Sequence, residues 1–153
     1  MMENINIISN EEDAGRGQGK ILVSDFDGTI TRNDFYDLVC RKFPEILSAG
    51  HWKKYESGQI THFEALRRIF AEIRTRETVL LEIIDQMDAD PRLAQSVERL
   101  KRNGWSIEVA SAGCDWYIRK IFKAAGVDLT LHANPGQFSE REEIGRASWR
   151  ERV

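Results

Sequence analysis

Residues 20–25 (KILVSD) form a short apolar run that ends in acid. A run of this length with no polar alternation predicts a strand buried on both faces, as strands of parallel sheets are. It passes straight into a turn-rich segment, Phe26-Asp27-Gly28-Thr29-Ile30-Thr31. Side chains alternate along an extended chain, so Asp25 and Asp27 should project to one side and Phe26 to the other.

The rest of the chain supplies elements that suit such a strand. From about Asp34 to Met87 the apolar residues recur at helical spacing, first Phe35, Leu38, Val39 and Phe43, then Phe63, Leu66, Ile69, Phe70 and Ile73. Pro44 and the Ser57-Gly58 pair divide this stretch into separate helices. Asp90-Pro91 predicts an N-cap with proline at the first helical position. Leu93, Val97 and Leu100 form one stripe of that helix, and Asn103-Gly104 closes it. Residues 105–111 (WSIEVAS) place Trp105, Ile107 and Val109 on one face of a strand. Glu108 falls on the other face, where the sequence offers no reason for it. A helix over 115–125 turns Ile118, Ile121, Phe122 and Ala125 inward and stops at Gly126, and residues 129–133 read as a third strand.

Strand, helical insert, helix, strand, helix, strand is the order of an α/β parallel sheet, with right-handed crossovers that place helices on its faces. The expected division is a flexible arm over 1–19, a core from 20–33 and 89–142, and a helical segment over 34–88. The last 11 residues, 143–153 (EIGRASWRERV), resemble the in-frame translation of a DNA-sequencing adapter. They are expected to be non-native, with the natural sequence cut near Glu142 and part of the fold and site lost.

Composition narrows the class. The chain has 153 residues, 22 Lys+Arg against 25 Asp+Glu, and 41% hydrophobic residues, which is the balance of one folded soluble domain. No apolar run approaches the ~20 residues of a membrane span. The mild net charge of −3, with no basic stripe, argues against nucleic acid as a partner. Two cysteines, Cys40 and Cys114, make no disulfide scaffold, and the start has no secretory signal, so the expected setting is the cytoplasm. An enzyme of small metabolites or a small-ligand binder remains, of unspecified oligomeric state.

Ligands of open parallel sheets bind beyond the carboxyl ends of the strands. Two polar clusters fall there, 25–29 and 111–115. Two carboxylates as close as Asp25 and Asp27 repel, and a hard cation such as Mg²⁺ would relieve that. One carboxylate could then attack the phosphorus of an ester, and the second could protonate the leaving oxygen and later activate water. Gly28 would let the backbone approach a phosphate, and Thr29 offers a hydroxyl. The Asp88-Ala-Asp90 pair has the same spacing but reads as a turn and a cap.

LVSDFDGTIT resembles the first motif of the haloacid-dehalogenase superfamily phosphatases, and Ser111 in VASAG resembles the second. The helical stretch between them is similar to the small cap of the phosphoserine-phosphatase-like branch. DFDGTITRND with SAGCDWYI is most similar to the methionine-salvage phosphatases that act on a phosphorylated keto-methylthio-pentene. The resemblance spans about Lys20 to Phe138. It implies a Rossmann-like parallel sheet, incomplete at about three strands, with a helical cap after the first.

It also implies Asp25 as nucleophile, Asp27 as general acid/base, and Mg²⁺ held by the Asp25 carboxylate and the Asp27 backbone carbonyl. Ser111, with backbone N–H groups near Ala112 and Gly113, would hold the phosphoryl oxygens. Asp34 stands where the phosphoserine branch has a substrate-contacting Glu, and Arg67 is a cap candidate for a substrate carboxylate or phosphate. The superfamily also uses a later Lys and an acidic cluster, which this chain does not present after Lys123. The natural protein is therefore expected to hydrolyse a small phosphorylated metabolite, while the printed chain should bind Mg²⁺ poorly and turn over little or nothing.

Other signals carry less. Cys114 lacks the Arg six positions on that a cysteine phosphatase needs, since position 120 is Lys. His51, His62 and His132 have no paired metal spacing, and Trp52, Tyr55, Trp116 and Tyr117 suit helix packing better than a pocket. Two readings compete with the enzyme: a receiver-like or regulatory domain that only binds or accepts phosphate, and a non-catalytic remnant of the same fold.

Overall fold

A computed structural model describes residues 19–139 and 146–148. Three parallel strands, β1 (Lys20–Ser24), β2 (Trp105–Cys114) and β3 (Thr130–Asn134), form a sheet in the order β1-β2-β3. Leu22 lies opposite Ile107 and Ser24 opposite Val109, so β1 ends beside Val109 while β2 runs on to Cys114. The α/β parallel class expected from the sequence is the one observed.

Four helices separate β1 from the second half of the fold: α1 (Phe35–Lys42), α2 (His51–Glu56), α3 (His62–Ala71) and α4 (Glu77–Gln86). Local chemistry sets their ends. Asp34 caps α1 by accepting the Asp37 N–H, and Arg41 and Lys42 face the negative end of its dipole. Thr61 caps α3 by accepting the Glu64 N–H at 3.1 Å. The helices α5 (Leu93–Arg102) and α6 (Asp115–Ala125) flank β2 in sequence, and α6 ends at Gly126, whose φ of 69° suits glycine.

One apolar core runs through the sheet side and the helical segment alike. Phe26 is wholly buried and meets Phe122 edge-on at 5.8 Å, Tyr117 stacks on Phe35 at 4.2 Å, and Phe35 reaches Phe70 at 5.8 Å. The two chain crossings, 30–33 and 86–90, are laced together. Arg32 N–H donates to the Asp88 carbonyl, Asn33 N–H to Met87 and Asp90 N–H to Ile30, all at 3.0–3.1 Å, and the Asn33 amide adds a bond to Gln86.

Several expectations need correction. Helix α5 begins at Leu93 rather than Pro91, because the Leu93 N–H bonds the Asp90 carbonyl and closes a turn first. Asp90 still accepts the Arg92 N–H at 2.8 Å. Strand β2 continues past Ser111 to Cys114 through an irregularity after Ala110, and Cys114 pairs with Asn134. A separate antiparallel pair, β4 (Gln137–Ser139) and β5 (Arg146–Ser148), was not read from the sequence, and β5 falls in the stretch expected to be non-native. The arm 1–18 and residues 140–145 and 149–153 lie outside the described residues.

One face of the sheet is open among the described residues. Ile21 and Val23 are 52% and 45% exposed, and Ser106, Ala110, Thr130 and His132 are exposed beside them. This accounts for Glu108, whose carboxylate meets His132 Nε2 at 2.8 Å on that wet face instead of entering a core. Parallel strands are ordinarily covered on both faces, so Ile21 and Val23 are an association hazard.

Candidate active site

A cleft of about 230 Å³ opens beyond the carboxyl ends of β1 and β2. The sheet side contributes Asp25, Asp27, Ser111, Ala112, Gly113 and Tyr117. The helical side contributes Asp34, Tyr36, Trp52, His62, Leu66 and Phe70. Asp25 and Asp27 meet there because the chain turns tightly between them and α1. The Phe26 carbonyl accepts the N–H groups of Thr29, Ile30 and Thr31 at 3.2, 2.9 and 3.2 Å, while its ring goes down into the core.

Gly28 and Thr29 are beside the cleft rather than in its wall. The Thr29 hydroxyl donates to Asp25 Oδ2 at 3.4 Å. Gly28 has φ of +73°, and a Cβ built there would meet nothing within 4 Å. Glycine suits the left-handed backbone of this turn. Gly28→Ala should cost about 1 kcal/mol of stability through that backbone conformation alone, measurable as a lower urea midpoint with an unchanged slope.

Asp27 is gripped from three elements. The Phe35 N–H at the start of α1 donates to Oδ1 at 3.1 Å. The Tyr117 hydroxyl donates to Oδ2 at 2.7 Å, and the Ser111 hydroxyl to the same oxygen at 3.3 Å. Burial pushes the Asp27 carboxyl above its ordinary value, against these hydrogen bonds and with help from the Asp34 charge. A proton held above the usual carboxylate range is what a general acid needs. Ser111 also accepts the Gly113 N–H at 2.9 Å, so Ser111 and Gly113 stand together at the floor of the cleft.

Asp34 does line the cleft, although its Oδ1 is committed to the Asp37 N–H at 3.1 Å. Burial raises its carboxyl too. Arg67 is not brought to the cleft. Its guanidinium makes two 2.8 Å bonds to Glu64, Arg68 adds one at 2.7 Å, and these hold Glu64 down at about 2. No Lys or Arg lines the cleft among the described residues.

Trp52 and Tyr117, set aside in the sequence as packing residues, line the cleft, whereas Tyr55 and Trp116 do not. Tyr36 stacks on Trp52 at 5.2 Å, and Tyr55 backs Trp52 edge-on at 5.2 Å. His62, Leu66 and Phe70 were not read as site residues. Their i, i+4, i+8 spacing on one face of α3 was the available signal.

The donor set suits a hydrated hard cation. Mg²⁺ keeps several waters and takes one or two protein carboxylates. Asp25 offers one, lightly engaged by Thr29, whereas both oxygens of Asp27 are already accepting. The Asp27 side chain is therefore already engaged by protein donors. No group of three or more His, Cys, Asp and Glu side chains able to hold a metal occurs among the described residues.

No family model matches the chain. It is 25% identical over 122 residues to a 2-hydroxy-3-keto-5-methylthiopentenyl-1-phosphate phosphatase of Brevibacillus brevis, covering 78% of this chain and 55% of that protein. It is 24% identical over 126 residues to the protein of that name from Bacillus pumilus, covering 78% and 53%. The chain thus spans about half the length of these curated relatives. A solved HAD-family hydrolase from Salmonella enterica serovar Typhi superposes with TM-score 0.63 at 18% identity, over 82% of this chain and 43% of that one. A substrate-bound phosphoserine phosphatase superposes at 0.61 and 19% identity, over 87% and 62%. These likenesses show the haloacid-dehalogenase fold, and with the curated relatives they bear out the resemblance to its phosphoserine-phosphatase-like branch.

Proposed function

We propose that the chain carries the nucleophile and acid/base half of a Mg²⁺-dependent phosphatase acting on a small phosphate monoester. The observation that supports this best is the meeting of Asp25, Asp27 and Ser111 in one cleft at the strand ends. An Asp25 carboxylate oxygen attacks phosphorus as the ester P–O bond breaks, and the leaving oxygen takes the Asp27 proton. The Asp27 carboxylate then removes a proton from water, whose oxygen attacks phosphorus and releases Asp25 and inorganic phosphate. Ser111 and the backbone N–H groups of Ala112 and Gly113 hold phosphoryl oxygens, the Gly113 N–H giving up its bond to Ser111 Oγ to do so, aided by the start of α6. Mg²⁺, held by the Asp25 carboxylate and the Asp27 carbonyl, supplies charge neutralisation when bound.

Residues 34–88 act as a cap over the cleft. Its wall of Tyr36, Trp52, Leu66 and Phe70, with Arg67 occupied elsewhere, favours an apolar group on the ester, with Asp34 and His62 the polar groups beside it. This agrees with the substrate in the names of the bacterial relatives. No helix among the described residues is long and apolar enough to cross a membrane, and a cytoplasmic small-metabolite enzyme is the setting we propose.

A second reading, phosphate binding without turnover, is favoured by one feature: three carboxylates line the cleft and, among the described residues, no Lys or Arg lines it to screen a phosphate dianion. One assay separates the two. With nitrophenyl phosphate at high protein concentration, slow release that requires Mg²⁺ and stops with EDTA is expected. Phosphate protection against unfolding with no release under any metal would leave only the binding reading.

A further inference from the structure

Tyr117 is 1% exposed, and its hydroxyl reaches past the first turn of α6 to Asp27 Oδ2 at 2.7 Å. Packing alone does not call for that hydroxyl. The ring lies flat on Phe35, 16° from parallel, and touches Phe26, so a phenylalanine would fill the same space without burying a polar atom. The backbone around it is shaped for the hydroxyl. A Cβ built on Gly113 would lie 1.7 Å from the Tyr117 oxygen and 2.9 Å from Asp27 Oδ2. Gly113 is therefore a glycine whose missing side chain leaves room for this hydrogen bond.

We infer that Tyr117 is the positioning residue of Asp27, fixing the carboxyl in one orientation toward the cleft, and that Gly113 is the space this requires. The inference rests on the reading of Asp27 as general acid/base. Phe35 clamps Oδ1 through its N–H and supports the Tyr117 ring with its own, so one residue braces both partners. Ser111 is the third donor to Asp27, at 3.3 Å. When a phosphate engages the Ser111 hydroxyl, the shorter Tyr117 bond keeps Oδ2 from turning away. The proton bookkeeping is unchanged, because Tyr117 keeps its proton throughout and only Asp27 gives one up and regains it.

The test is Tyr117→Phe, which preserves ring and volume. With ¹³Cγ-labelled aspartate in the metal-free chain, the Asp27 carboxyl resonance should move on substitution while that of Asp25 stays. An Asp27 resonance that does not move overturns the inference whatever the activity. With Mg²⁺, two esters are then compared. An alkyl phosphate needs its leaving oxygen protonated, so its kcat/KM, which reads transfer of the phosphoryl group to Asp25, should fall by about tenfold or more. Nitrophenyl phosphate, whose leaving group departs as an anion, should lose no more than about twofold in kcat/KM, because the water step that Asp27 also serves comes after that transfer. Equal losses on both would mark a merely structural role and also overturn the inference. Absence of turnover in the parent chain would count against the phosphatase reading, while the carboxyl resonance still decides whether Tyr117 holds Asp27.

Discussion

Asp25→Asn is expected to lower Mg²⁺-dependent ester hydrolysis by at least ~100-fold relative to the parent chain, because an amide oxygen cannot form the phosphoryl bond. The fold should survive. The Asp25 side chain accepts one hydrogen bond, from Thr29 at 3.4 Å, and lies in a cleft shared with the Asp27 and Asp34 carboxylates. Removing a charge that repels Asp34 should leave the thermal midpoint unchanged or raise it, a sign opposite to that of a damaged core. Asp27→Asn should lose ~100-fold as well, on general acid/base grounds. Its loss should be steepest for alkyl esters, and its stability should fall because the amide cannot accept from Phe35, Ser111 and Tyr117 as a carboxylate does. Steady-state kinetics with thermal melts on the same samples checks both. Near-parental turnover in Asp25→Asn would remove the covalent route.

Phe26→Ala should be the most damaging core substitution, at about 3–5 kcal/mol. The ring is completely buried between Phe122 and Tyr117. A loss of that size is a large part of the total stability of an ordinary domain, roughly 5–15 kcal/mol. Unfolding in urea should show it as a midpoint shift. Phe26 also sits between the two acids, and its carbonyl anchors the turn that presents them. Activity should therefore fall along with stability. A variant that lost less than about 1 kcal/mol would mean that the aromatic column is not what couples sheet and helices.

The parts of the site on strand ends were legible in the sequence because strand periodicity fixes direction. Asp25 and Asp27 followed from the alternation of side chains, the rule for open parallel sheets marked the clusters 25–29 and 111–115, and the resemblance singled out Ser111, Ala112 and Gly113 within them. The parts on helices were legible less well, because which face of a helix meets the cleft depends on how helices pack. Trp52 and Tyr55 are three residues apart on α2, yet only Trp52 reaches the cleft. Arg67 lies one position from Leu66, and that step turns it to Glu64 instead of the cleft. Tyr117 was hidden for another reason. Its role depends on a polar contact 90 residues away along the chain, and helical spacing reports only the buried side of such a residue. Glu108 was unreadable for a third: its explanation is the exposed sheet face, which no local pattern announces.

The lacing of the two crossings between sheet and helices has a mechanical consequence. Opening the cleft would have to break these cross-links together with the core that sheet and helices share. The aromatic wall would then stand in place before a substrate arrives, and selection would rest on the lining.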